Sequence, residues 1–244
     1  MPIMIEWELV AMSKIIITDL TRFKKGVEVC TAGADIATGA CIRPMPYLKT
    51  ADCEKHQILP GAILSGEFVP IKGLTGPHQE DHQYSKLKFE GPSSSVEFKK
   101  ALQAGLQPSI EKGFAIKLGD GQKHVPVGHP VKRSIITIQV DPASIEIVEG
   151  FKEGTTKIHF TDGAGRQFRY FPITDLGFHR YAERHRAGKD LARLNAFIRK
   201  QAEAFLRVGL SRAWPSPQGI NGYWMQVNGV YTFPDFLPAL RSYK

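Results

Sequence analysis

Lys157-Ile158-His159-Phe160-Thr161-Asp162-Gly163-Ala164-Gly165-Arg166-Gln167-Phe168-Arg169-Tyr170-Phe171 is the stretch that sets the fold class. Lys157–Thr161 and Gln167–Phe171 are short, rich in aromatic and β-branched residues and bounded by turn formers, as strands are. Asp162-Gly163 between them tolerates the positive φ that a tight connection demands, so the stretch predicts a β-hairpin. Upstream, Ile135–Val140 alternates and Ile145–Val148 follows it, giving a block of strands that begins near Phe114. An earlier block runs from Met12 to about Phe89, with strands expected at Lys14–Thr18, Val27–Ala32, Ala40–Arg43 and Ala62–Val69. Pro44, Pro46, Pro60 and Pro70 punctuate it, since proline cannot donate to a ladder. Strands this short, with turns this frequent, suggest a barrel or a sandwich. Two blocks of similar length suggest a duplicated architecture, without a residue-level repeat.

Between the blocks, Ser94-Ser95-Val96-Glu97 reads as a capping box. It opens a short helix through Phe98, Ala101 and Leu102 that Gly105 stops. Past Pro172 the pattern turns helical. Thr174-Asp175 offers an N-cap for a helix through Phe178, Tyr181 and Ala182. Leu191, Leu194, Phe197 or Ile198, Ala202 and Phe205 recur at steps of three and four, which predicts a second helix from Lys189 to Leu206. Tyr223–Tyr231, interrupted by Asn228-Gly229, then reads as a strand, and Gly76–Gln83 as a polar loop.

The expected fold is α+β and β-rich. Residues 12–92 form one barrel, 93–112 a bridging helix and linker, and 113–174 a second barrel. Residues 175–244 supply basic helices and an aromatic strand. Residues 1–11 stand apart as an N-terminal extension, poorly ordered or upstream of a natural start at Met12. They lack the basic region and cleavage site of a secretory signal, and no run of the chain reaches the roughly 18 apolar residues a membrane helix needs. Cys30, Cys41 and Cys53 form no C-x-x-C pair. They read as reduced, buried thiols of a cytoplasmic protein.

The chain carries 32 Lys and Arg against 24 Asp and Glu, a net +8. Such a surplus gathers anions, nucleic acid among them. Its distribution says more. From Phe178 to Arg212 the cations Arg180, Arg184, Arg186, Lys189, Arg193, Arg199, Lys200, Arg207 and Arg212 face only Glu183, Asp190 and Glu203, leaving +6 in this one segment. Arginine forks suit bidentate phosphate contacts; the plainer reading is a solvated helix face. A second cluster is aromatic: Trp214, Tyr223, Trp224, Tyr231, Phe233 and Phe236, with Gln226 and Asn228 between them. Strand alternation places Trp224, Gln226 and Asn228 on one face. Rings interleaved with amides and arginines can stack and read single strands, or simply fill a core. In the loop Pro77–His82, His78, Glu80, Asp81 and His82 lack a third metal ligand, so a polar loop is the stronger reading and no metal or cofactor is expected. Phosphate loops, dinucleotide fingerprints and nucleophile elbows are missing, so a non-enzymatic protein is expected.

Val29-Cys30-Thr31-Ala32-Gly33-Ala34-Asp35 and Gly39-Ala40-Cys41-Ile42-Arg43-Pro44 resemble the opening of the dual OB-containing domain family, a mostly prokaryotic set with two OB-like barrels. Leu206–Arg212 and Trp224–Tyr231 resemble its closing signature, and the Pro77–His82 loop is similar as well. The resemblance implies two OB-type barrels and nucleic-acid or nucleotide binding, with no catalytic residues to carry over. Arg43, Arg207, Arg212, Gln226 and Asn228 occupy its motif positions. The reading that follows is a nucleic-acid-binding protein, for RNA or DNA. Arg180, Arg184, Arg193, Arg199 and Lys200 meet phosphates; Arg43, Arg212, Trp214, Trp224, Gln226 and Asn228 form the selective surface. The alternatives are a nucleotide or small-ligand sensor with its pocket between the barrels, an enzyme centred on His78, Glu80, Asp81 and His82, and a protein-interaction module.

Overall fold

The computed structural model describes residues 11–23, 26–151, 155–184 and 189–240. The first unit is built from β1 (Met12–Arg22), β2 (Glu28–Asp35), β3 (Cys41–Met45), the short β4 (Leu48–Lys49), α1 (Thr50–Lys55), β5 (Ala62–Pro70) and β6 (Asp81–Pro92). Its strands close in the order β1-β5-β6-β3-β2, with β2 pairing back onto β1. All contacts in the ring are antiparallel except β3 with β6, where Arg43, Pro44 and Met45 run parallel to Asp81, His82 and Gln83. Ile15, Ile17, Leu20, Val29, Ile42, Leu64 and Phe68 fill the interior, and α1 adds Cys53 to the same core. This is a five-stranded OB-type barrel.

A connecting segment follows: α2 (Ser95–Ala104), β7 (Leu106–Gln107), α3 (Ile110–Phe114) and β8 (His124–Pro126). The expected capping box is present, with the Ser94 hydroxyl accepting from the Glu97 amide and Glu97 accepting from the Ser94 amide. The second unit comprises β9 (Ile135–Val140), β10 (Glu146–Glu149), β11 (Thr156–Thr161), β12 (Gln167–Pro172), α4 (Leu176–Arg184), α5 (Lys189–Arg199), β13 (Glu203–Pro215) and β14 (Asn221–Phe233). It repeats the first strand for strand. β9 and β10 are one strand broken by the 3-10 turn Pro142–Ser144. β9 pairs with β13, β13 with β14, β10 with β11 and β11 with β12. The parallel contact of the first ring returns as a single bridge, Ile173 to Val227. Where α1 plugs the first barrel, α4 and α5 plug the second, through Phe178, Tyr181, Leu194 and Ile198. The protein therefore has two OB-like barrels.

The structure corrects three expectations. The helix predicted to reach Leu206 stops at Arg199, and Glu203–Pro215 is a strand. Residues 204–210 are all buried, because β13 lies between β9 and β14 and is covered on both faces. A strand covered on both faces loses its period of two, and apolar residues at steps of three then arise by accident. Arg207 and Arg212 are consequently strand residues, not part of a basic helix. The second sheet also does not end at residue 174, since the β13–β14 hairpin supplies two of its strands from beyond the helices. Finally, Asp81, His82 and Gln83 begin β6 and are not loop.

Candidate functional site

The bulge in β1 between Ile17 and Asp19 turns Asp19 and Thr21 outward while Leu20 stays in the core. The outer face of β1, β2 and β3 thus offers Asp19, Thr21, Cys30, Cys41 and Arg43, and the second barrel lies against it. Arg207 donates through Nε and Nη2 to Asp19 Oδ2 at 2.9 and 2.6 Å, and through Nη1 to the Thr137 hydroxyl at 2.9 Å. Its Nη2 is 3.7 Å from Cys41 Sγ. Burial alone would depress the guanidinium; Asp19 and Cys41 together more than offset this and hold it charged. Glu80 accepts from the amides of Ser134 and Ile135 and from the Ser134 hydroxyl. Arg22 donates its amide to Thr174 O, and the Tyr231 hydroxyl donates to Thr18 O. An apolar seam of Ile16, Ala34, Phe98, Leu102, Phe205 and Phe233 runs alongside.

At the mouth of this contact, Asp81 accepts from Arg43 Nε at 2.5 Å and from Arg212 Nη2 at 2.8 Å. Arg212, 45% exposed, also reaches the Tyr47 hydroxyl, whose ring packs on Phe23. Burial pushes the Cys30 thiol up to about 11 and the Cys41 thiol to about 12. His78 is buried against Tyr223 with Nε2 on Leu210 O. Its burial, reinforced by Arg43 and Arg212, pulls its pKa down to about 4. His82 instead turns Nδ1 to Glu80 O. Among the described residues, no three His, Cys, Asp or Glu side chains converge as a metal set. In OB barrels the face of the second and third strands, with the flanking loops, is where ligands sit. On the first barrel that face is β2–β3, and it is occupied by the second.

On the second barrel the corresponding wall is β11–β12, and it is open. Ile158, Phe160, Phe168 and Phe171 point into the core, so Lys157, His159 and Thr161 point outward. The register steps from Ile158 opposite Phe171 to Phe160 opposite Phe168. Arg169 and Tyr170 are thus a two-residue bulge facing His159, with Tyr170 held at φ 53°. The bulge is why two consecutive residues both face solvent. Tyr170 packs against Phe151 at 4.5 Å between ring centroids and, nearly perpendicular, against His159 at 4.6 Å. Phe151 is 86% exposed. Lys123 lies 3.5 Å from Tyr170 O and over the Phe171 ring. Its pKa is lowered by partial burial and by the charge of Lys157, itself lowered by partial burial. Arg199 at the end of α5 joins His159 and Arg169 around one cavity, and Lys123 and Tyr170 flank another. Next to Lys123, His124 stacks on Trp224, whose indole N–H donates to Trp214 O.

The residues singled out from sequence divide by exposure. Arg43, Arg207 and Asn228 are buried, and Asn228 Oδ1 accepts from the Thr174 hydroxyl. Arg180 is ion-paired with Glu54. Arg184, Arg193, Arg199, Lys200 and Trp214 are exposed, while Trp224 and Gln226 are half-buried. Of these, Arg199 lies on the β11–β12 wall, while Trp224 packs on His124 and Trp214. Arg186 lies outside the described residues. Phe151, Lys157, His159, Arg169, Tyr170 and Lys123 were missed. The signal was present in Phe168-Arg169-Tyr170-Phe171, where two non-core residues interrupt an alternating strand and mark a bulge.

Among the described residues no helix is long and apolar enough to cross a membrane. A family model described as the dual OB-containing domain matches residues 14–230. No curated protein matches the chain.

Proposed function

Because the chain belongs to the dual OB-containing domain family, whose fold is of a kind that binds nucleic acid, we propose that it binds single-stranded nucleic acid on the outer wall of its second barrel. One observation carries the reading. The β11–β12 face is open and sets Lys157, His159, Arg169 and Tyr170 side by side with Phe151, while the equivalent face of the first barrel is filled.

Rings with an exposed face stack on bases of any identity, and flanking cations follow the backbone. Phe151 and Tyr170 serve as the platform; Lys123, Lys157, Arg169 and Arg199 meet phosphates. The exposed Arg184, Arg193 and Lys200 extend the positive field. Duplexes hide their base faces, so single strands are favoured. Fluorescence polarisation with labelled single strands and duplexes across a salt series tests this. We expect single strands to bind more tightly, with log affinity falling by about 0.7 per log salt for each phosphate neutralised. Tyr170→Ala should cost about 1–3 kcal/mol of binding, and Arg169→Ala should shallow the salt slope. Affinity that ignores salt, or no binding to any oligonucleotide, would sink the reading.

A further inference from the structure

Beside the stacking platform lies a polar cavity of about 310 Å³, lined by Glu146, His159, Thr161, Gln167, Arg169 and Arg199. It occupies the row where Glu146 is opposite His159 in the ladder and the bulge brings Arg169 alongside. Glu146 Oε2 faces His159 Nδ1 at 3.4 Å. His159 Nε2 is buried and has no hydrogen-bond partner among the described residues. A buried polar atom without a partner is rare.

Resting on the nucleic-acid reading above, we infer that this cavity is a pocket for a phosphate monoester, the terminal phosphate of the bound strand. Arg169, Arg199 and His159 line it. The single carboxylate, Glu146, is engaged with His159 Nδ1. A phosphodiester within a strand offers one charge and two free oxygens. A terminal monoester offers three oxygens and nearly two charges, matching the two arginines. Arginine forks grip such an oxyanion in two-point fashion. The cavity is near the lower end of ligand-pocket size, suited to a group and not to a passing chain. Phe151, 86% exposed and packed on Tyr170, is placed to stack on the base next to that end.

The test compares one short single strand with a phosphate at its 5′ end, at its 3′ end or at neither, labelled internally, with a nucleoside monophosphate as competitor. One phosphorylated end should bind about tenfold more tightly than the hydroxyl strand, the scale of one or two charge-assisted hydrogen bonds. The Arg169→Ala, Arg199→Ala double variant should bind all three strands equally. Both arginines are exposed, so its unfolding midpoint should match the unaltered protein. Equal binding of all three strands by the unaltered protein overturns the terminal-phosphate pocket and leaves the nucleic-acid reading standing. Failure of every strand to bind overturns both. Binding of the nucleoside monophosphate without any strand overturns the strand-end assignment and identifies a free nucleotide as the source of the phosphate.

Discussion

Asp19 and Arg207 stand 188 positions apart in sequence and make a doubly hydrogen-bonded charged contact between the barrels. Both are almost fully buried, at 1% and 4% side-chain exposure. Removing one partner strands the other charge away from water, a loss of about 3–5 kcal/mol. Arg207→Ala or Asp19→Ala should lower the denaturation free energy by that amount. Replacing both with apolar residues, Arg207→Met with Asp19→Leu, should recover much of it; a double variant as weak as the singles would contradict this account. His78 adds a pH dependence whose sign is fixed. Its folded pKa, about 4, lies below the ordinary 6.5, so the unfolded chain takes up the proton first. Stability is full above about pH 6.5 and falls towards pH 4, by about 3 kcal/mol from this group alone. His78→Gln should flatten that slope in denaturation midpoints measured across the interval. An unchanged slope would assign the acid sensitivity elsewhere.

Among the elements, hairpins and caps were readable because their signals are local. Asp162-Gly163 and the Ser94–Glu97 box are decided by neighbouring residues, and both stand where the sequence placed them. β13 was not readable as a strand. Its conformation is fixed by partners at Ile135–Val140 and Asn221–Phe233, and coverage of both faces erases the alternation that marks a strand. The binding wall was half readable: its strands were evident, but its outward residues depend on a bulge that shifts the register after Ile158. Arg43 attracted notice as a motif position and Arg207 as one of a basic cluster, yet only the fold reveals Asp81 and Asp19 against them. In the same hairpin as Arg207, Gly209 admits Asn228 so closely that an added Cβ would sit 2.3 Å from Asn228 Nδ2. Gly209→Ala should therefore cost about 1–3 kcal/mol through forced repacking. A thermal melt unchanged by the substitution would show that Asn228 can move aside.

For the whole molecule, the barrels share both an apolar seam and a polar one, so neither has a finished surface alone. Unfolding should accordingly be a single cooperative event. Far-UV circular dichroism samples both barrels, while Trp214 and Trp224 sample the second; their denaturation curves should overlay. A separate early transition in the dichroism alone would mean that the first barrel opens independently. On the proposed nucleic-acid reading, the seam also sets the valency of the protein. Two barrels in tandem invite the expectation of avidity, the second grip gaining from the effective concentration that the first supplies. Here one barrel's grip is spent on its neighbour. A long strand should protect only the footprint of one module, about 4–16 nucleotides, and titrate at one site per chain. Affinity should stop rising once that length is reached, however much longer the strand becomes.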